Sequence, residues 1–124
     1  MKNIKIIEKG CWSDKTTLYF SNEGTMGSKI SDNGKLQIAV DSIDNVVKDK
    51  VSFIKMDIEG SELEALKGAK NTILKYKPKL AVCVYHKKED LITIPQYILS
   101  LNQNYKLYLR HYGENSCDTV LYAL

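Results

Sequence analysis

The chain has 124 residues, 44% apolar and 27% charged, and its 18 Lys and Arg against 15 Asp and Glu leave a formal charge of +3. That size and balance describe a single folded domain, residues 1–124, and exclude a disordered or low-complexity chain. The longest strongly apolar run, residues 80–85, falls far short of the roughly 18 residues a membrane helix needs, so no membrane partner is expected.

In chain order, residues 3–9 set Ile4, Ile6 and Ile7 among polar neighbours, which predicts a strand closed by Gly10. Residues 16–20 are β-prone, and residues 36–40 alternate Leu36, Ile38 and Val40 with Gln37 and Ala39. Between them residues 21–35 collect Gly24, Gly27 and Gly34 with Ser and Asn, a turn-rich hairpin or irregular flap. Residues 51–56 form a continuous β-type run that leads directly into Asp57-Ile58-Glu59-Gly60. Ser61 and Glu64 have the spacing of a capping box, and Leu66, Ala69, Ile73 and Tyr76 follow at helical intervals. One amphipathic helix of about four turns is predicted, ending before Pro78, which cannot continue it.

Residues 80–85 are apolar on both faces, as a central parallel strand should be, and run into His86. Thr93 and Gln96 suggest a second capping box, with Pro95 in the first turn and Tyr97, Ile98 and Leu101 on the buried face. Residues 105–112 and 119–124 are the last strands, and Gly113-Glu114-Asn115-Ser116 between them suits an antiparallel hairpin. The order strand, helix, strand, helix, hairpin predicts an α/β fold with a mostly parallel sheet. Functional residues of such sheets gather beyond the C-terminal ends of the strands. Here those places are residues 57–60 and 86–90.

Asp57 and Glu59 leave their strand two residues apart and, if extended, point the same way. Such a carboxylate pair can orient a cation, a hydroxyl or a divalent metal, while Glu59 alone could simply favour the positive end of the next helix. No residue set is assigned to a metal. His86 is the general-base candidate, because an imidazole can take up a proton near neutral pH; its plainer role would be to close a strand. Lys87 reads as a solvated lysine, and His111, beside Arg110 on a late strand, as structural or a rim contact. Glu23-Gly24-Thr25-Met26-Gly27 has a glycine-loop look, but no helix pattern follows to supply an amide cradle. Gly27 and Ser28 suit a substrate-side loop better.

Cys11, Cys83 and Cys117 include no C-x-x-C pair, so a reduced, cytoplasmic setting is the default. Residues 1–8 lack the apolar core of a secretory signal. The positive charge comes from 17 dispersed lysines and a single arginine, Arg110, which argues against nucleic acid as a partner.

The run Phe53-Ile54-Lys55-Met56-Asp57-Ile58-Glu59-Gly60-Ser61-Glu62-Leu63-Glu64-Ala65-Leu66-Lys67-Gly68-Ala69 closely resembles the central signature of the FkbM-type S-adenosylmethionine-dependent methyltransferases. Pro78-Lys79-Leu80, Tyr85-His86-Lys87, Glu89-Asp90-Leu91, Lys9-Gly10-Cys11-Trp12-Ser13-Asp14 and Val40-Asp41-Ser42-Ile43-Asp44 extend the likeness over nearly the whole chain. It implies a Rossmann-like class I methyltransferase fold, with residues 4–9, 51–56 and 80–85 as its third, fourth and fifth strands and the hairpin as the sixth and seventh. It implies S-adenosylmethionine as cofactor, Gly10, Cys11 and Trp12 near the adenine, and Asp57 near its methionine end. His86 would face Asp57 across the crevice. Apart from the resemblance, Glu59, Gly27, Ser28 and Asp90 are the substrate-side candidates. A sugar or glycan hydroxyl is the implied methyl acceptor.

The acidic-x-Gly-x-Gly cofactor loop of that family, with its first two strands, has no counterpart in the sequence. The chain therefore reads as the C-terminal portion of the fold, strands three to seven. The orphaned strand is expected to pair with the fourth or with a second copy, making a homo-oligomer. The rival to an enzyme is a non-catalytic remnant serving as an interaction or assembly module.

Overall fold

Pairing of short apolar strands gives two sheets among the described residues, 3–21, 35–115 and 117–124, of a computed structural model. In the first sheet β1 (Gly10–Cys11) lies parallel to β3 (Leu36–Asp41), and β2 (Thr16–Phe20) runs antiparallel on the other side of β3. A short helix, α1 (Ile43–Val46), follows, begun by the Ser42 hydroxyl accepting the Asn45 N–H. The second sheet has the order β4 (Phe53–Met56), β5 (Lys79–Cys83), β7 (Thr119–Ala123), β6 (Leu107–His111).

The adjacent parallel strands come out as expected: β4 pairs with β5 in parallel, Ile54 opposite Leu80, across a helical crossover. β4 buries only Ile54 and Met56, whereas Leu80, Ala81, Val82 and Cys83 of β5 are all buried, which fits its inner position. The closing hairpin is antiparallel, and β7 also runs antiparallel to β5. The sheets are thus mixed rather than mostly parallel, because the hairpin inserts β7 beside β5 and only one crossover links neighbouring strands of the second sheet. Helices α2 (Glu62–Lys67), α3 (Lys70–Tyr76) and α4 (Asp90–Leu101) supply Leu66, Ile73, Ile94 and Ile98 to a core shared with Leu80 and Val82. No helix among the described residues is long and apolar enough to cross a membrane.

Three local expectations are corrected. Residues 3–8 form no strand, and Ile6 is 81% exposed. Alternation alone does not make a strand; a neighbour must accept its backbone groups, and the ladder begins only where Gly10 meets Val40. The predicted helix over residues 61–76 is divided at Gly68 and Ala69. Asp44 causes the break: its N–H donates to the Gly68 carbonyl at 2.8 Å, and its carboxylate accepts the Asn71 and Thr72 N–H groups at 2.9 Å each. One side chain thereby supplies the start of a second helix where the first would have continued.

Neither capping box forms as predicted. Ser61 makes no side-chain cap; Glu62 accepts the Ile58 N–H at 2.9 Å, and Glu64 pairs with Lys67 instead. α4 begins at Asp90, so Pro95 lies inside it and Thr93 donates its hydroxyl to the Glu89 carbonyl. Before Pro78, Lys77 ends α3 in the left-handed region, and the buried Tyr105 hydroxyl donates to the Pro78 carbonyl at 2.6 Å.

Candidate functional site

The segment after β4 does not stay extended. Glu59 (φ 55°) and Gly60 (φ 94°) are successive left-handed residues that turn the chain into α2. Glycine takes this conformation freely, but glutamate holds it at a cost, and such strain concentrates at working sites. The turn, rather than strand alternation, brings the Asp57 and Glu59 carboxylates to His86 beyond the end of β5. Asp57 Oδ1 lies 3.6 Å and Glu59 Oε2 3.5 Å from His86 Nε2.

On the other side of the ring, Glu62 Oε1 lies 3.0 Å from His86 Nδ1, out of line for a direct hydrogen bond. Glu62 is completely buried, and among the described residues its Oε2 has no hydrogen-bond partner, nor does the buried Asp90 Oδ2. Burial, aided by the charge of Glu62, raises the Asp90 carboxyl above the usual carboxylate range. The Tyr85 hydroxyl donates to Asp57 Oδ1 at 3.1 Å, and burial together with that carboxylate raises the phenol. Burial and Asp57 push the Cys83 thiol up to about 11. Carboxylate charge thus dominates the end of β5, with one imidazole held at its centre.

A cavity of about 570 Å³ opens beside this cluster, within the size range of small-molecule sites. Leu18, Phe20, Ile38 and Val40 of the first sheet give it an apolar wall; Glu59, Ser61, His86 and Lys87 give the opposite wall its polarity. Gly10, Cys11 and Trp12 close one end. Trp12 is fixed by its N–H to the Asp41 carbonyl at 3.0 Å and by Gly68, where a Cβ would lie 2.1 Å from the Trp12 carbonyl oxygen. Burial raises the Cys11 thiol, the opposite of what a nucleophilic cysteine needs.

Of the site residues expected from sequence, Gly10, Cys11, Trp12, Glu59 and His86 line one cavity. Asp57 is beside His86 Nε2 but is not one of the lining residues, and Asp90 is only 2% exposed. Gly27 and Ser28 lie outside the described residues, as does the glycine loop around them. Lys87 is exposed, as expected of a solvated lysine, and it also lines the cavity, while His111 bonds Thr119 Oγ1 on the hairpin. Glu62 and Tyr85 were missed. The signal for Glu62 was its spacing: it stands four residues before Leu66 and seven before Ala69, on the apolar stripe.

A family model described as the methyltransferase FkbM domain matches residues 4–114. A crystal structure of methyltransferase FkbM from Methylobacillus flagellatus KT is similar, with a TM-score of 0.79 and 37% identity, over 98% of this chain and 28% of that one. The chain thus spans 28% of the length of that relative. No curated protein matches it. With the fold shared and the family model matching from the first isoleucine to beyond β6, the chain belongs to the FkbM methyltransferase family.

Proposed function

We propose that the cavity serves S-adenosylmethionine-dependent O-methylation, with a sugar or glycan hydroxyl as acceptor and His86 as base. The observation that carries this reading is the imidazole at the cavity wall, set between a buried carboxylate and two outward ones. The lining suits the cofactor: an apolar wall accepts a flat ring system, and the Glu59 carboxylate accepts a cationic end. Gly10, Cys11 and Trp12 would hold the adenine, and Glu59, with Asp57 nearby, the methionine end. When bound, the cofactor supplies an electrophilic methyl group on a sulfonium.

The protein's own tasks are then to position the acceptor hydroxyl and to remove its proton. The base role requires the tautomer with the proton on Nδ1, the nitrogen nearest Glu62, which leaves the Nε2 lone pair for the acceptor. Asp57 Oδ1 and Glu59 Oε2, 3.6 and 3.5 Å from Nε2, flank the side of the ring that the acceptor hydroxyl must reach. The apolar wall limits water at the reacting groups.

Calorimetric titration with S-adenosylmethionine beside single-turnover rates tests this. His86→Ala should lower turnover by about 100- to 10,000-fold with cofactor affinity little changed. Lys88→Ala, exposed and away from the lining, is the control. Wild-type single-turnover rates for His86→Ala across about pH 6–9 would remove His86 from the base role. Absence of cofactor binding by the protein would favour the interaction-module reading.

A further inference from the structure

Asp57, Glu62 and His86 each offer one ligand atom, all within 4.8 Å of one another. Bonds of about 2.0–2.2 Å to a metal place its ligands roughly 3–4 Å apart. One ion can use only one ring nitrogen: on Nδ1, Glu62 Oε1 at 3.0 Å falls in that range, and the exposed Asp57 carboxylate, now 3.6 Å from Nε2, would turn to complete the set. A second observation is independent of this spacing. Among the described residues, the fully buried Glu62 has Oε2 unpartnered, and the His86 side chain, 10% exposed, has no hydrogen bond at either ring nitrogen. Buried polar groups are ordinarily satisfied, and a buried carboxylate without a counter-charge is costly.

We propose that Asp57, Glu62 and His86 bind a divalent first-row transition ion of the Mn²⁺ or Zn²⁺ type. One imidazole with two carboxylates is a mixed nitrogen and oxygen set, which suits these ions better than Ca²⁺, whose ligands are all oxygen. The ligands are already oriented by outer partners: the Ile58 N–H donates to Glu62 Oε1, and the Tyr85 hydroxyl to Asp57 Oδ1. Asp57 is exposed and gives the ion its way in from solvent. The inference stands apart from methyl transfer, but it bears on it. A neutral imidazole ligated through one nitrogen carries its proton on the other, so the ion and the acceptor's proton exclude each other on this ring.

The test is titration of the protein with Mn²⁺, read from the electron paramagnetic resonance signal of the free ion. Mn²⁺ is chosen because thiols compete strongly for Zn²⁺ and only weakly for Mn²⁺. The expected result is one saturable site per chain, weakened at least about tenfold by His86→Ala and by Asp57→Asn, and kept in tenfold excess Ca²⁺. Glu62→Gln should do the same and is read only if circular dichroism shows it folded; Asp57→Asn, on an exposed side chain, carries the test regardless. Lack of saturable Mn²⁺ binding, unchanged affinity in both variants, or free displacement by Ca²⁺ would overturn the proposal. None of these readouts involves methyl transfer, so failure here is distinct from failure of the catalytic reading.

Discussion

Gly68→Ala probes the contact that seats Trp12 at the end of the cavity. The glycine has ordinary right-handed dihedrals (φ −70°, ψ −11°), so alanine is tolerated by the backbone and would, by helix preference alone, stabilise by roughly 0.5–1 kcal/mol. Space opposes it. The added Cβ would sit 2.1 Å from the Trp12 carbonyl oxygen and 3.0 Å from Ser42 Cβ, where ordinary contacts begin near 3.4 Å. More than an ångström must be found, and the obstacle is backbone. Overpacking of this kind costs about 1–3 kcal/mol. Moving Trp12 also strains its N–H bond to Asp41, for which a loss of about 0.5–1.5 kcal/mol is typical. The net expectation is destabilisation by about 1–3 kcal/mol, with the fluorescence of the single tryptophan shifted. Urea unfolding followed by circular dichroism measures the first effect and native-state emission the second. Gly113→Ala is the contrast: its Cβ would approach the Asp118 carboxylate, a side chain that can rotate away, so it should cost little. A Gly68→Ala protein at least as stable as wild type, with unshifted emission, would refute the reasoning.

The hydrogen bonds of Asp41 to the Lys9 ammonium, at 2.7 Å, and to Asn45 hold its carboxyl down from its ordinary 3.8 to about 2. Its contribution to stability is therefore complete above pH 3.8 and lost as pH falls towards 2; Asp41→Asn should flatten acid unfolding in that window, and an unchanged profile would count against it. At Glu59 the left-handed φ reverses the usual ranking, so Glu59→Gly should be more stable than Glu59→Ala by about 0.5–1 kcal/mol in thermal unfolding. β4 ends the second sheet with Phe53 54% exposed, and copies are expected to associate along that edge. Phe53→Lys should reduce the dimer seen by sedimentation at high concentration, and a wild-type protein monomeric throughout would refute this.

The strands that carry strong local patterns could be read directly. Residues 80–85 had no polar face to turn to solvent, and β5 is buried on both sides. The position of the site followed, because the ends of β4 and β5 come together wherever the two strands lie parallel. What escaped depends on partners distant in sequence. The helix break is made by Asp44, 27 and 28 residues from the N–H groups it accepts, and no pattern inside residues 61–76 announces it. Residues 3–8 had the alternation of a strand without a neighbour to complete one. Glu62 looked like any polar residue in a first helical turn, although a charged group on the apolar stripe is the usual mark of burial with a purpose.

Asp44 gives the cavity a particular mechanics. Through α1 it is tied to β3 and the apolar wall; through the Gly68 carbonyl and the first N–H groups of α3 it is tied to the helices over the second sheet. The Thr72 hydroxyl adds a third donor to its carboxylate at 2.8 Å. Apolar faces can slide over one another with little change in energy, but hydrogen bonds have a preferred length and direction. A joint of this kind behaves as a pin: it resists translation of one wall past the other and leaves rotation about itself as the softer motion. The spacing between Trp12 and His86 is then governed by the angle at the pin, so a ligand too thick for the cavity would be admitted by tilting the walls rather than by parting them.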